Sequence, residues 1–237
     1  MNKRLSIIIP ALNAAETLSF CLGRLNGAHE VIVVDGGSSD DSRRIAEQHG
    51  ATLLPSSRGR GIQLRNGAEA ASGDWLLFLH ADTLLGSDWS AAVEQHISSA
   101  PDAAGYFRFR LQSEAWQARL VEAGVRLRAR MVGLPYGDQA LLVRRDLYDR
   151  MGGYRLLPLL EDVDLVRRLG RRRLRRLPAD ALTSAARWQE DGWLARSARN
   201  IACLALYLAG MSPERISSFY AGPAKKARGS ADLPARS

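Results

Sequence analysis

The chain has 237 residues, of which 46% are hydrophobic and 24% are charged. Both values lie near the globular average, so they exclude a disordered chain, a collagen and a small disulfide scaffold for most of the sequence. The formal net charge is +8. Such a charge indicates either a partner that carries phosphate, namely a ligand, nucleic acid or an anionic membrane, or a bias towards arginine spread over solvated faces.

The two cysteines and the apolar runs bear on the compartment. Cys21 and Cys203 are far apart and form neither a metal-binding pair nor a disulfide framework. The apolar run at the N-terminus is too short for the core of a signal peptide, and the uncharged run over residues 201–213 is too short to cross a bilayer. We therefore predict a cytoplasmic protein.

Short apolar runs alternate with amphipathic stretches in the first third of the chain. Unbroken runs rich in β-branched residues predict buried parallel strands over residues 5–10, 30–35 and 74–80, with a weaker strand over 51–55. Helices are predicted over 15–25, 39–50 and 61–73, the last two ending at glycines. This order predicts a mostly parallel sheet with helices on both faces.

The second half of the sequence is less regular. Aromatic residues alternate with arginine over 104–111, which is typical of a half-exposed strand, and a further strand is predicted over 138–144. Helices are predicted over 113–131, 161–169 and 191–209, and the composition of residues 221–237 predicts a basic, disordered tail. No linker divides the chain, so residues 1–220 are predicted to form a single domain.

Polar residues follow the predicted strands at the sheet edge where open α/β folds bind ligands. Pro10, Ala11 and Asn13 follow the first strand, and Asp35, Gly36 and Gly37 end the second. Glycines before a helix allow a phosphate to approach the backbone, although the same residues also suit a tight turn.

Carboxylates follow the third strand and open a later helix. Asp82, two residues after His80, could hold a divalent cation that bridges two phosphates, or could cap the next segment. Glu161 and Asp162 could supply a general base, or could complement a helix dipole. Asp138 is a competing acid, and Arg58 and Arg60 lie in a glycine-rich basic segment suited to phosphate oxygens or to solvent.

Five segments, taken together and in their order along the chain, identify a family more specifically than any one of them does alone. SIIIPALN, EVIVVDGGSSDDS, GDWLLFLHADT, GDQALLVRR and LLEDVDLVRRL together resemble family 2 glycosyltransferases over roughly residues 4–190. The small bacterial branch described as radical-SAM/selenodomain-associated is similar. The resemblance implies an α/β fold of GT-A type, a Rossmann-like, mostly parallel sheet flanked by helices, with a C-terminal helical extension. It also implies a nucleotide-binding half over about 1–100, an acceptor half over about 101–190 and C-terminal helices over about 191–220.

The resemblance assigns expected roles to the candidate residues. Pro10, Ala11 and Asn13 would line the base and ribose of a nucleoside-diphosphate sugar, and Asp35 would contact the base. Gly36 and Gly37 belong to the same loop. Asp82 matches the metal-binding carboxylate of the D-x-D motif, with His80 in place of the first aspartate, and the expected cofactor is Mn²⁺ or Mg²⁺.

The expected reaction is sugar transfer with inversion. Asp162, in its Glu161-Asp162 context, matches the base that takes the proton of an acceptor hydroxyl. Arg58 and Arg60 would help to stabilise the nucleoside-diphosphate leaving group, and Asp138 would contact the donor or the acceptor sugar.

The sequence also departs from the family pattern. The family often has glutamate directly after the first-loop asparagine, whereas here Ala14 follows Asn13 and the candidate Glu16 comes later. Ser184 replaces the glutamine of the processive Gln-x-x-Arg-Trp motif before Arg187 and Trp188, so processive polymer synthesis is not expected.

Two other classes of function compete with the transferase. A sugar nucleotidyltransferase would need a glycine-rich basic loop after the first strand, which the PALNAAE segment lacks. A non-enzymatic module binding membrane or nucleic acid could use the aromatic and arginine alternation of 104–111, but no nucleic-acid-binding signature is present, and no such partner is expected.

The acceptor is unidentified from sequence, with a lipid-linked molecule as one expectation. The helix over 191–209 combines an apolar face with arginines, and residues 167–176 add a basic cluster. Peripheral contact with the inner face of a membrane is therefore one prediction, and an ordinary helix packed on the sheet is the other.

Overall fold

The computed structural model describes residues 4–221 and contains a curled sheet of eight strands. The strands are β1 (Leu5–Ala11), β2 (Glu30–Asp35), β3 (Thr52–Pro55), β4 (Trp75–Phe78), β5 (Thr83–Leu85), β6 (Ala104–Leu111), β7 (Leu141–Arg144) and β8 (Leu174–Thr183). Their order across the sheet is β3-β2-β1-β4-β7-β6-β8-β5.

Helices flank this sheet and continue beyond its last strand. They are α1 (Ala15–Leu22), α2 (Ser42–Gln48), α3 (Arg60–Ala70), α4 (Trp89–Ser99), α5 (Trp116–Val132), α6 (Arg145–Arg150), α7 (Glu161–Leu169), α8 (Ala186–Asp191), α9 (Trp193–Leu208) and α10 (Pro213–Ala221). Of the helices within residues 4–221, none combines the length and the hydrophobicity needed to span a bilayer. Residues 222–237, most of the predicted tail, lie outside the described part of the chain.

The four neighbouring strands β3, β2, β1 and β4 are parallel to one another. β1 pairs in parallel with β2 and β4, and β2 pairs in parallel with β3. β7 is antiparallel to β4 and β6, β6 is parallel to β8, and β5 closes the sheet antiparallel to β8. The predicted α/β class, the mostly parallel sheet and the C-terminal helices are thus confirmed.

Both faces of the central strands are buried, which explains their unbroken apolar runs. Ile7 and Ile9 of β1 point to the face that α1 and α4 cover, together with Leu18 and Val93. Ile8 of β1 points to the other face, where a second apolar cluster is formed with residues of α3, α6 and α7. Alternation along each strand therefore supplies both halves of the core.

A close approach of α3 to the sheet sets the position of the site. A Cβ atom at Gly67 would lie 2.8 Å from Cγ2 of Val34 and would also meet Ile8. Only glycine allows α3 to lie this near to β1 and β2. The N-terminus of α3, with Arg60 and Gln63, is thereby held beside the ends of these strands.

The structure changes several predicted boundaries. The strand predicted over 138–144 begins only at Leu141, because residues Gly137–Gln139 form a 3₁₀ turn. The helix predicted over 191–209 begins two residues later, as α9, because Gly192 adopts a φ of 83° between α8 and α9. β5, β8, α4, α6 and α8 were not predicted, and the basic run over 171–177 enters β8.

Candidate active site

Asp35 ends β2 and is buried in the loop that follows it. Its carboxylate accepts hydrogen bonds from the backbone N–H groups of Gly37 and Ser38, at 3.1–3.2 Å. Arg43 Nε pairs with the same carboxylate at 2.6 Å. Burial alone would raise the pKa of Asp35, but the hydrogen bonds from Ser38 and the pairing with Arg43 lower it. Asp35 is thus ionised and organises the glycine loop.

The loop after β1 is tied to the loop after β2. Asn13 has a φ of 50°, its backbone N–H donates to Ser38 Oγ at 2.9 Å, and its Oδ1 accepts from the N–H of Ser39 at 2.9 Å. Ala15, in the first turn of α1, donates its N–H to Asp40 Oδ2 at 3.0 Å. The two loops therefore form one ordered edge of the sheet.

Gln63 joins this edge from α3, and sequence reasoning missed it. Its buried amide donates to the carbonyl oxygens of Ala11, at 2.8 Å, and Val34, at 2.7 Å. A Cβ atom on Gly36 would lie 3.0 Å from that amide nitrogen. A lone glutamine in a helix carries no local signal of this contact.

Beside the loops lies a cavity of about 140 Å³. Residues predicted from four separate segments converge on it, because the end of β1 adjoins the end of β4 and β4 pairs with β7. The predicted residues that line it are Arg60, His80, Asp82, Asp138, Glu161 and Asp162.

Asp162, in the first turn of α7, has one fixed oxygen and one unpartnered oxygen. The N–H of Gly137 donates to Oδ2 at 3.1 Å, while Oδ1 is buried with no hydrogen-bond partner among the described residues. Burial, then the negative charge of Glu161, raises the pKa of Asp162 to about 7, against the opposing charge of Arg60. A carboxylate tuned to this range can accept a proton near neutral pH.

Asp138 faces the same cavity from the 3₁₀ turn. Its Oδ1 is buried and has no hydrogen-bond partner within residues 4–221. Burial raises the pKa of Asp138 to about 6, opposed by Arg128 and reinforced by Asp82. Thr183 at the end of β8 donates its hydroxyl to the Asp138 carbonyl at 3.2 Å and so holds the turn in place.

Gly137 allows the two sides of the cavity to meet. A Cβ atom at this position would fall on the Asp162 carboxylate and 2.5 Å from His80 Nε2. His80 Nε2 is itself buried and has no partner in the described chain. Burial, followed by the charges of Arg60 and Arg187, holds the pKa of His80 well below its usual value, so the imidazole is neutral.

Arg60 brings positive charge to the cavity from the start of α3. Its guanidinium lies 3.4 Å from the buried Glu161 carboxylate. Burial would lower the pKa of Arg60, but the charges of Glu161, Asp162 and Asp82 together raise it. Glu161, predicted beside Asp162 as a catalytic residue, therefore has Arg60 as its direct partner.

Asp82 supplies the carboxylate that a cation would need. Within residues 4–221, no group of three or more His, Cys, Asp or Glu side chains is arranged to hold a metal ion by itself. Mg²⁺ and Mn²⁺ commonly take one or two protein oxygens and complete their shells with phosphate and water. Asp82, with the unpartnered His80 Nε2 in the same cavity, fits such a partial ligand set.

The other predicted residues lie outside the cavity lining. Asn13, Asp35, Gly36 and Gly37, with Pro10 and Ala11 at the end of β1, form the loop edge. Glu16 in α1 and Arg58 before α3 are exposed, and no side-chain partner is recorded for either in the described chain. The structure thus places the candidates in two adjoining groups.

Residues from the C-terminal part of the chain complete the wall of the cavity. Some of these residues were noted in the sequence but were not assigned to the site. Ser184, Arg187 and Trp188, considered above only as departures from a processive motif, line it. Tyr136 also lines it, and the guanidinium of Arg128 stacks 3.4 Å from the centre of its ring. α9 adds Asn200 and the buried Cys203, residue types with no motif to mark them.

Backbone strain is concentrated at these segments. Three residues other than glycine have positive φ in the described chain: Asn13, Ala140 at 46° and Leu160 at 64°. Ala140 follows the 3₁₀ turn that carries Asp138, and Leu160 directly precedes Glu161. Such strain often marks positions that tertiary structure holds in place for function.

Comparison with known proteins agrees with this architecture. The family model of Glycosyl transferase family 2 matches residues 6–158. The chain belongs to this family. The matched range ends at residue 158, before Glu161 and Asp162. The assignment of these two residues to the candidate site therefore rests on the cavity geometry and not on the family match.

Curated relatives cover parts of the chain. A PGL/p-HBAD biosynthesis glycosyltransferase from Mycobacterium bovis is 37% identical over 91 residues, which are 34% of this chain and 36% of the relative. An undecaprenyl-phosphate 4-deoxy-4-formamido-L-arabinose transferase from Pseudomonas savastanoi is 26% identical over 167 residues, 63% of this chain and 50% of the relative. The chain spans between about a third and half of the length of these relatives.

Solved structures share the fold at low sequence identity. Glucosyl-3-phosphoglycerate synthase from Mycobacterium tuberculosis, in complex with Mn²⁺, UDP and glucosyl-3-phosphoglycerate, has a TM-score of 0.55 and 19% identity over 77% of this chain and 71% of that chain. TarS from S. aureus with UDP-GlcNAc has a TM-score of 0.58 and 15% identity over 76% of this chain and 58% of that chain. These similarities confirm the expected GT-A fold.

Proposed function

We propose that this chain transfers a sugar from a nucleoside-diphosphate sugar to an acceptor hydroxyl, with inversion at the anomeric carbon. The observation that carries the proposal is Asp162, whose Oδ1 is buried and unpartnered in a cavity also lined by Arg60 and Asp82. This reaction uses a general base, a positive charge beside the leaving phosphates and a carboxylate that holds a metal ion. Asp162, Arg60 and Asp82 would supply these three groups.

Asp162 is the proposed general base. The hydrogen bond from Gly137 fixes one carboxylate oxygen, which leaves Oδ1 to accept the proton of the acceptor hydroxyl. As that proton moves, the acceptor oxygen forms a bond to the sugar C1. The bond from C1 to the phosphate oxygen breaks, and the nucleoside diphosphate leaves with the electron pair. A single displacement from the opposite face inverts the configuration.

The loop edge is the proposed nucleotide site. The N–H groups of the loop hold the Asp35 carboxylate and the Asn13 amide in place, so that Asp35 would contact the base and Asn13 would lie beside the ribose. Arg60 is positioned to stabilise the leaving phosphates, since guanidinium groups match phosphate oxygens. We propose that Glu161 acts through Arg60, as a positioning residue that orients the guanidinium by its ion pair.

A divalent cation, Mn²⁺ or Mg²⁺, fits the same cavity. Asp82 would hold it, with His80 Nε2 as the second protein group in reach of the cavity. A bound cation supplies neutralising charge to the diphosphate. The solved complexes of glucosyl-3-phosphoglycerate synthase with Mn²⁺ and UDP support this assignment.

Asp138 is proposed to contact the donor or acceptor sugar. Its Oδ1 also lacks a partner, so it can accept a hydrogen bond from a sugar hydroxyl. The negative charge of Asp138 adds to that of Glu161 in raising the pKa of Asp162. Asp138 thus helps to keep the proposed base effective near neutral pH.

A lipid-linked acceptor at the cytoplasmic face of a membrane is the proposed context. α5 and α9 pack beside each other, and each carries an exposed apolar stripe, Trp116 and Leu120 on α5 and Leu194 and Ile201 on α9. Leu194 is 87% exposed and Trp116 68%. The excess of arginine complements anionic lipid headgroups, and one curated relative is named for an undecaprenyl-phosphate acceptor.

Nucleotide binding is the first test of the proposal. We would titrate UDP, GDP, CDP and dTDP by isothermal calorimetry, with and without Mn²⁺, into wild type and Asp82→Ala. We expect one nucleotide to bind to wild type in a metal-dependent manner. In Asp82→Ala its binding should no longer depend on Mn²⁺, because Asp82 matches the metal-binding carboxylate of the D-x-D motif. Binding of none of the four would contradict the transferase and favour a binding module.

The second test concerns the base. Asp162→Asn should retain nucleotide binding but lower turnover of the matching sugar nucleotide by about 10²–10⁴-fold, the usual contribution of a general base. Wild-type turnover should fall as the pH drops below about 7, where Asp162 becomes protonated. Asp164→Asn is the matched control, since Asp164 lies in the same helix but pairs with Arg168 outside the cavity. Near-wild-type turnover in Asp162→Asn would refute the assignment.

A further inference from the structure

A second and larger cavity lies between α5 and the strands β6 and β8. Its volume is about 470 Å³, within the range of small-ligand sites. The 3₁₀ turn separates it from the candidate active site, because Asp138 lines the smaller cavity and Gln139 lines the larger one. None of the roles proposed above uses this second cavity.

Arginine dominates the walls of the second cavity. Seven arginines and a single carboxylate, Glu122, line it. The arginines come from four segments: Arg108 and Arg110 of β6, Arg126 and Arg130 of α5, Arg171 before β8, and Arg175 and Arg176 of β8. A concave surface lined by one sign of charge concentrates ligands of the opposite sign.

Most of this charge is not neutralised by the protein. Arg108 and Arg110 pair with Asp180, and Arg110 also pairs with Glu122. Within residues 4–221, no carboxylate lies within ion-pair distance of the other five arginines of the cavity. Arg171 and Arg175 donate only to backbone carbonyl groups, and Arg126 and Arg130 have no recorded hydrogen bond there.

Gln139 forms a buried part of the floor of the cavity. Gln139 is 2% exposed, and its amide nitrogen donates to the Phe107 carbonyl at 3.2 Å. Its Oε1 is buried without a hydrogen-bond partner in the described chain. An unsatisfied buried acceptor is costly, so a ligand that donates a hydrogen bond there would relieve that cost.

One wall depends on a glycine. Gly133 ends α5 with a φ of 69°, and a Cβ atom at this position would lie 2.8 Å from Cβ of Arg171. Glycine therefore lets Arg171 pass over the end of α5, where it donates to the Met131 carbonyl at 3.2 Å. This contact links the segment before β8 to the helix on the other side of the cavity.

We propose that this cavity binds a ligand carrying two or more phosphate groups and a hydrogen-bond donor such as a hydroxyl. The arginines of α5 and β8 bind the phosphates, since guanidinium groups form paired hydrogen bonds with phosphate oxygens. Gln139 Oε1 accepts from the hydroxyl. The site is separate from the candidate active site and stands independently of the transferase reaction.

Inorganic pyrophosphate is the probe for the phosphate part of the site. We would titrate it by calorimetry at low salt, with EDTA to exclude a divalent cation, into wild type and Arg126→Gln/Arg130→Gln. Both arginines are exposed and unpaired, so the double variant should fold, which a thermal melt would verify. We expect pyrophosphate affinity to fall about tenfold or more, because two charged hydrogen-bond donors are removed.

A matched control separates this site from a general charge effect. Arg24→Gln/Arg215→Gln removes the same charge from exposed arginines that lie outside both cavities. We expect it to bind pyrophosphate as wild type does, and Arg176→Gln, a single change in the opposite wall, to weaken binding. No binding to wild type, or an equal affinity in all variants, would overturn the proposal.

Vesicles distinguish a lipid headgroup from a soluble ligand. Vesicles of phosphatidylcholine with cardiolipin, a lipid that carries two phosphates and a hydroxyl, would be floated with wild type in the presence and absence of pyrophosphate. If pyrophosphate reduces vesicle binding in wild type but not in Arg126→Gln/Arg130→Gln, the site takes lipid phosphate. If pyrophosphate binds the cavity without reducing vesicle binding, the ligand is soluble. Either result supports the phosphate site and identifies its source, and neither requires a sugar nucleotide.

Discussion

At the scale of single residues, the candidate site is built from groups held in costly states. Asp162 and Asp138 each have a buried carboxylate oxygen without a hydrogen-bond partner in the described chain, His80 is neutral with a buried Nε2, and Ala140 and Leu160 have strained backbones. Stability alone would select against each of these features. Their convergence on one cavity therefore favours function, and two of them give stability predictions.

The strain at Ala140 predicts an unusual response to glycine. Ala140 combines a φ of 46° with a ψ of 148°, a region that is accessible almost only to glycine. Ala140→Gly should keep or raise the free energy of unfolding, by up to about 1 kcal/mol, because relief of strain offsets the lost methyl group and the added chain entropy. Denaturant unfolding followed by circular dichroism would measure it.

Ala92→Gly serves as the control for Ala140→Gly. Ala92 is buried in α4 with ordinary helical backbone, so its replacement should lower the free energy of unfolding by about 1 kcal/mol. A loss in Ala140→Gly as large as the loss in Ala92→Gly would show that Ala140 is not strained.

The raised pKa of Asp162 predicts a stability that depends on pH. The pKa is about 7 in the folded state against 3.8 ordinarily, so the neutral carboxyl is favoured by folding. This contribution is fully present below pH 3.8 and is lost as the pH rises through about 7. Asp162→Asn stays neutral, so its free energy of unfolding relative to wild type should be higher at pH 8 than at pH 5, by roughly 2 kcal/mol.

Urea unfolding at both pH values in EDTA would measure this difference. Asp164→Asn is the comparison, because it removes a buried carboxylate that pairs with Arg155 and Arg168. It should lose stability relative to wild type at both pH values. A pH-independent difference for Asp162→Asn would contradict the assignment of Asp162 as a buried acid poised near neutrality.

At the scale of elements, the sequence predicted those strands whose pattern is local. β1, β2 and β4 are unbroken apolar runs because both of their faces are buried, and α7 was predicted with its observed bounds. β8 was not predicted, because the consecutive residues Arg175 and Arg176 are both exposed in the wall of the second cavity and so interrupt the alternation expected of a strand. β5 has three residues, too few for any period to appear.

The residues of the candidate site also fall into those that a local sequence pattern marks and those that it does not. Residues that follow a predicted strand or open a predicted helix, such as Asp82 and Asp162, could be selected from sequence because sheet topology brings such positions together. Gln63 and Gly137 could not, since their importance lies in contacts with Val34, Asp162 and other residues distant in the chain. Local spacing holds no information on such contacts.

At the scale of the whole molecule, one sheet joins the two predicted halves. β7 of the acceptor half pairs with β4 of the nucleotide half, and β5 pairs with β8. Within the described part of the chain, the two predicted halves therefore share a single sheet, and one domain over residues 1–220 stays a prediction. The shared sheet also explains why the smaller cavity draws residues from α3, the segment after β4, α7 and α8 together.

The apolar stripes on α5 and α9 and the net charge of +8 together predict binding to anionic vesicles. Wild type should float with phosphatidylglycerol vesicles at low salt, and less at high salt, because screening weakens the attraction of arginine to the lipid. Leu194→Ser/Ile201→Ser should reduce the partition coefficient by about tenfold, since two exposed apolar side chains no longer enter the bilayer surface.

Phe20→Ser/Leu156→Ser is the matched control, because it removes two exposed apolar side chains that lie outside α5 and α9. An equal loss in both double variants would show that the stripes have no special role, and no flotation of wild type at low salt would exclude membrane docking by this surface.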